Sequence, residues 1–103
     1  MSRHAYILVF DRDDLRDYIS IHNKIISFKG LISWFHYIKS SYILITEESS
    51  AKQLAKEIQT FIPKKYYLLM EIDMNNRQGW LPKKAWDWIH KQAAKINDES
   101  DKE

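Results

Sequence analysis

His4 to Phe10 reads HAYILVF, and Tyr42 to Thr46 reads YILIT. Past His4 neither run contains a residue that must face water before its end, so each predicts a strand buried on both faces. Two such strands belong at the centre of a sheet. Working outward, Asp11-Arg12-Asp13-Asp14 ends the first run. Leu15, Tyr18, Ile19, His22, Ile25 and Ile26 then recur at helical spacing, with Asp13 or Asp14 as the N-cap and Gly30 as the stop. Leu31 to Lys39 (LISWFHYIK) is aromatic and β-branched with polar interruptions, the pattern of a half-exposed edge strand, and Ser40-Ser41 turns the chain.

Beyond the second apolar run, Ser50 and Gln53 form a capping box for a stripe of Ala51, Leu54, Ala55, Ile58 and Phe61, which Pro63 closes. Tyr66 to Asp73 (YYLLMEID) is a fourth strand that turns polar at Glu71 and Asp73, so it is a second edge. Residues 75–79 form a loop, and Pro82 opens a third helix over about 83–96. The fold class read from this order is α/β (α+β): a ferredoxin-like βαββαβ sandwich with a four-stranded antiparallel sheet plus an extra C-terminal helix. Residues 1–96 make one domain, and the acidic tail 97–103 is expected to fray. Both long helices cover one face of the sheet. The other face is apolar along its central strands and needs the third helix, a second subunit or both.

The chain has 103 residues with four Trp, six Tyr and four Phe, enough aromatic volume for one sizeable core. It has no cysteine, which excludes disulfides, thiolate metal sites and a cysteine nucleophile. Neither a signal-peptide core nor a membrane-length apolar run occurs, so the expectation is a cytoplasmic protein without membrane contact. The tail 97–103 holds four acids and one Lys, leaving the body 15 of the 16 basic and 10 of the 14 acidic side chains, a net +5. That balance permits contact with phosphate backbone without demanding it.

Asp11 stands directly after the first strand, with Asp13 close behind. Carboxylates there are either loop acids and helix caps, or ligands for Mg²⁺ or Mn²⁺ that would organise phosphodiester cleavage, with Asp11 catalytic and Asp11 and Asp13 holding the metal. Lys39, Lys64, Lys65, Arg77, Lys83 and Lys84 lie on turns and helix ends, as a phosphate-binding rim or as ordinary solvated charges. His22 in the first helical stripe reads as a boundary histidine, and His36 alternates with Trp34 on one face of the second strand. Glycine-rich phosphate loops are absent, and the third strand lacks the basic and aromatic string of an RNA-recognition motif. In Gly79-Trp80-Leu81-Pro82-Lys83-Lys84-Ala85-Trp86-Asp87-Trp88-Ile89, Trp86, Ile89, Ala93 and Ile96 share one helical face. Trp88 points elsewhere, which marks Trp80 and Trp88 as candidate interface residues.

Ala5-Tyr6-Ile7 through Asp11, then Arg16-Asp17-Tyr18, then Trp34-x-His36 with Ser40 or Ser41 before the third strand, resemble small bacterial proteins labelled SinR-like. Those are similar to the small CRISPR-associated adaptation endonucleases and to the VapD toxin ribonucleases. The resemblance spans roughly residues 4–73. It implies a ferredoxin-like homodimer in which an Asp at the end of the first strand, here Asp11, meets its symmetry mate around a metal ion. In the adaptation endonucleases the C-terminal segment bridges the dimer, whereas here a Trp-rich segment and a helix come after the fourth strand. The combined expectation is a small nucleic-acid-associated homodimer contacting phosphate backbone, with Mg²⁺-dependent endonuclease chemistry left open. The alternative is a non-catalytic interaction or regulatory module that binds a protein partner through Trp80–Trp88.

Overall fold

A computed structural model describes residues 3–10, 15–38, 41–47, 50–62 and 66–102, without the side chains of 15–17 and 99–102. The elements are β1 (His4–Phe10), α1 (Leu15–Ile25), β2 (Leu31–Phe35), β3 (Ser41–Thr46), α2 (Ala51–Phe61), β4 (Tyr67–Glu71) and α3 (Lys83–Lys102). The class is α+β. The four strands form one sheet in the order β2-β3-β1-β4, with every neighbouring pair antiparallel. The two apolar runs thus occupy the centre, and the two runs with polar interruptions are the edges. The residues expected to cap α1 and to close α2, Asp13, Asp14 and Pro63, lie outside the described residues.

Each face of the sheet has its own core. Tyr6, Leu8 and Phe10 of β1 and Tyr42 and Leu44 of β3 pack against Ile21 and Ile25 of α1 and Leu54 and Ile58 of α2. The opposite side chains, Ala5 and Ile45, pack against Ile89 and Ala93 of α3, with Met74 between them and Ile32, Ile43 and Ile72 at the margin. The third helix is therefore the cover that the apolar second face demands. Its packed face is centred on Ala85, Ile89 and Ala93, and Trp86 and Trp88 sit half-buried on the two flanks. The Trp88 indole N–H donates to Ser33 Oγ at 3.1 Å, and its ring lies 5.3 Å from that of Phe35.

Element ends differ from the pattern for local reasons. β2 stops at Phe35, because His36 turns into the core side and its Nδ1 contacts the Ser41 carbonyl at 3.0 Å. α3 continues past Ile96 to Lys102, and the Asn97 and Asn75 side-chain amides bond reciprocally at 2.8 and 3.0 Å. Ser50 caps α2 as its spacing predicts, accepting from the Gln53 N–H at 3.4 Å.

A bulge in β2 has no sequence signal. Leu31 faces Thr46 and Ser33 faces Ile45, so β2 holds one extra residue at Ile32. The extra residue exchanges the sheet faces of the later positions in the strand. Trp34, opposite Leu44, joins Leu31 on the α1 side, while Ser33 and Phe35 turn to α3. Gly30 precedes it at φ 96°, and its carbonyl accepts from the Glu47 N–H at 2.9 Å. A Cβ at Gly30 would meet nothing within 4 Å, so Gly30→Ala tests backbone strain alone. The expected loss is about 1–2 kcal/mol in denaturant unfolding. A neutral result would mean that the α1–β2 connection relaxes to negative φ.

Candidate functional site

Tyr18 and His22 are one turn apart on α1, which aims both at the sheet. The bulge places Trp34 against them, and the end of β2 delivers His36 to the same place. Tyr42, fully buried on β3, forms the floor. The Tyr42 hydroxyl bonds His22 Nδ1 at 2.6 Å and the Tyr18 hydroxyl at 3.2 Å. The Tyr18 hydroxyl also bonds His36 Nε2. The His36 ring stacks on Tyr42 with centroids 4.0 Å apart, and the two imidazoles are 5.7 Å apart. Trp34 meets His22 edge-on at 5.6 Å. Phe10, the last residue of β1, stacks on both Tyr18 and Tyr42, so the cluster sits at the carboxyl end of that central strand.

Desolvation first, and the neighbouring His36 second, hold His22 below its ordinary value of 6.5. Both disfavour the imidazolium. Its folded value is lower than its unfolded one, so on acidification the unfolded chain binds protons first and stability falls. The stability His22 contributes is present above pH 6.5 and lost as pH falls through the lowered folded value. The melting temperature should therefore drop on mild acidification, and His22→Gln should flatten that slope. An unchanged slope would show that His22 does not report the acid sensitivity.

The residues singled out from sequence are distributed differently. Asp11, Asp13, Lys39, Lys64 and Lys65 lie outside the described residues. Arg77 is engaged within the fold: its guanidinium donates to the Met74 carbonyl at 2.5 Å and to His90 Nδ1 at 2.7 Å, tying the loop after β4 to α3. Lys83 pairs with Asp87 one turn on at 2.9 Å, both well exposed, while Lys84 is exposed. Trp88 is used in α3 packing, whereas Trp80 is 99% exposed. Among the described residues no three His, Cys, Asp or Glu side chains are grouped to hold a metal ion. These residues thus offer Mg²⁺ no group of three such ligands.

The cluster itself was only half legible. Tyr18 and His22 share the helical stripe, and Trp34 and His36 share a strand face, but nothing local joins the two pairs. The i, i+4 spacing of Tyr18 and His22, set against the polar Tyr42 hydroxyl in an otherwise apolar strand, is the signal that could have joined them. No family profile, no curated protein and no solved structure matches the chain. Among the described residues no helix is long and apolar enough to cross a membrane.

Proposed function

We propose that this is a small nucleic-acid-associated protein of ferredoxin-like fold that contacts phosphate backbone and acts at the carboxyl end of β1. The observation that carries the reading is the Tyr18–His22–His36–Tyr42 cluster. Two imidazoles within 6 Å, bonded to phenols and flanked by an indole that is 37% exposed, are suited to proton transfer beside a stacked base. The sheet order supports the ferredoxin-like assignment, since read from its other edge it is β4-β1-β3-β2. The net +5 of residues 1–96 supports an anionic partner. Asp11 comes directly after Phe10 in sequence, which keeps it a candidate for the same chemistry with Mg²⁺ or Mn²⁺ as the metal. The homodimer reading finds support in an apolar strip on the α3 side of the sheet that α3 leaves open, where Val9 faces Leu68 and Ile7 faces Met70 at the β4 edge.

Binding of single-stranded RNA and duplex DNA at low salt tests the class. Log affinity for duplex should fall by about 0.9 per phosphate neutralised as log salt rises. Absence of binding to either ends this reading. The second reading, a protein-interaction module, is favoured by the full exposure of Trp80. Trp80→Ala should then change stability by less than about 0.5 kcal/mol while abolishing retention of a protein partner.

A further inference from the structure

After β4 the chain turns back along α3 and is tied to it in succession by Asn75, Arg77 and Gly79. The Asn75 and Asn97 amides bond reciprocally. Arg77 donates to His90 Nδ1 at 2.7 Å. Gly79 lies against Trp86, where an added Cβ would stand 3.7 Å from Cζ2 of the indole. The turn that starts this segment is firmly held. The Asp73 carboxylate accepts from the Asn75 N–H at 2.9 Å, and the Met74 side chain is buried in one cluster with Ile89 and Ala93. At the far end the Pro82 carbonyl accepts from the Ala85 and Trp86 N–H groups at 3.0 and 3.2 Å. Residues 77–82 are thus a flap with a fixed base at each end.

The middle tie is the one that a proton can cut. A guanidinium has donors and no acceptor, so the 2.7 Å bond requires His90 Nδ1 to accept and its ring to be neutral, with the proton on Nε2. An imidazolium carries a proton on both nitrogens. In that form His90 has no lone pair to offer, and two cations stand where a hydrogen bond was. Neither the Asn75–Asn97 tie nor the Gly79 contact contains a group that titrates in this range. Arg77 Nε is also buried with no hydrogen-bond partner among the described residues, a cost that the closed flap already carries. Loss of the bond to His90 removes part of what offsets that cost.

The other groups around His90 do not restore the tie. From the flap it meets Arg77. On its own helix the uncharged Trp86 ring stacks on it with centroids 5.6 Å apart, and Asp87, one turn back, holds Lys83 at 2.9 Å. Lys91, the next residue on α3, adds positive charge. Among the described residues no carboxylate pairs with His90.

We propose that residues 77–82 form an acid-released flap: protonation of His90 expels the Arg77 guanidinium, and the flap lifts off Trp86 while Met74 and Asn75 stay docked. The open form binds the extra proton, so acid favours it and the closed form prevails where the imidazole is neutral. Trp80, 99% exposed, rides on the flap, so the proton on His90 sets where that indole is presented. The device stands whichever functional reading holds, because it uses neither the His22 cluster nor a bound partner.

The test follows the full chain by NMR from about pH 7.5 to about pH 5.5, either side of an ordinary imidazole's titration. The Gly79 α-protons and the Trp86 ring should show a nuclear Overhauser contact at the upper pH and at most about half of it at the lower. Losing one hydrogen bond to a charged group raises the ratio of open to closed flap by about tenfold or more. The contact between the Asn75 and Asn97 amides should persist throughout. His90→Asn puts a carbonyl oxygen near the place of Nδ1 and does not titrate, so it should show no acid response. His90→Lys, cationic at both pH values, should lack the Gly79–Trp86 contact at both. His22→Gln should respond as the wild type does, because His22 lies on the other face of the sheet. A wild-type contact that survives acid undiminished overturns the proposal, as does a contact present at neutral pH in His90→Lys. So does an acid response that persists in His90→Asn or vanishes in His22→Gln. Parting of Asn75 from Asn97 together with the flap overturns the hinge and with it the proposal.

Discussion

Ile89→Asp detaches α3 from the sheet. Ile89 is 6% exposed and lies among the apolar side chains of Ala5, Ile45, Met74 and Ala93. Burying the charge there would cost several kcal/mol, more than the packing of one helix returns, so the helix comes away instead. Loss of α3 strips the second face of the sheet, including fully buried Ile45 and the margin of Ile32, Ile43 and Ile72. The expected signs are a stability loss above about 4 kcal/mol, binding of an apolar dye and concentration-dependent association. Ile89→Ala, which leaves only a cavity, should cost about 2–5 kcal/mol and keep the helix in place. Near-UV circular dichroism separates the two, because Trp86 and Trp88 lose their fixed surroundings only when the helix leaves. An unaltered Trp signal in Ile89→Asp would mean that α3 is held by its flanks rather than by its centre.

That experiment bears on what the sequence could reveal. The two uninterrupted runs put β1 and β3 at the centre because an apolar residue on both faces of a strand requires cover on both sides. The same requirement demanded a cover for the second face but left open whether α3 or a second subunit supplied it. Helical spacing located α3, whose packed face meets Ala5 and Ile45 through Ile89 and Ala93 and leaves the two indoles on the flanks. Periodicity grouped Trp86, Ile89, Ala93 and Ile96 on one face, and in the structure Ile89 and Ala93 are buried there with Ala85 while Trp86 is half-buried at its edge.

The candidate site was less legible, because it depends on register. One extra residue at Ile32 determines whether Trp34 faces α1 or α3, and bulges of this kind carry no reliable composition. The sequence drew attention to carboxylates and lysines, the groups with formal charge. The structure brings together phenols and imidazoles, whose partners are set by β2–β3 pairing and by the docking of α1. Arg77 illustrates the converse: as a cation on a loop it invites a phosphate, yet both terminal nitrogens of its guanidinium are engaged within the fold, by the Met74 carbonyl and His90 Nδ1.

The largest single effect at the site itself is expected at Tyr42. Tyr42→Ala removes a fully buried ring that stacks on His36 and Phe10, and should cost about 3–5 kcal/mol by the cavity it leaves. Tyr42→Phe keeps the ring and isolates the hydroxyl. In that variant His22 Nδ1 loses its hydrogen-bond partner at 2.6 Å, and the Tyr18 hydroxyl loses one of its partners at 3.2 Å. Leaving the His22 nitrogen without its partner costs about 1–3 kcal/mol, and the ring is only part-buried, so the lower end applies. The imidazole is then released to choose its tautomer and to turn toward solvent. A double-mutant cycle of Tyr42→Phe with His22→Gln separates the bond from the packing: the coupling should be about 0.5–2 kcal/mol at neutral pH. It should change as His22 titrates, because Nδ1 is a donor in the imidazolium and the bond to Tyr42 is then charge-assisted while desolvation of the ring opposes it. Additive effects at every pH would mean that the 2.6 Å contact carries no energy and that Tyr42 serves the fold through its ring alone.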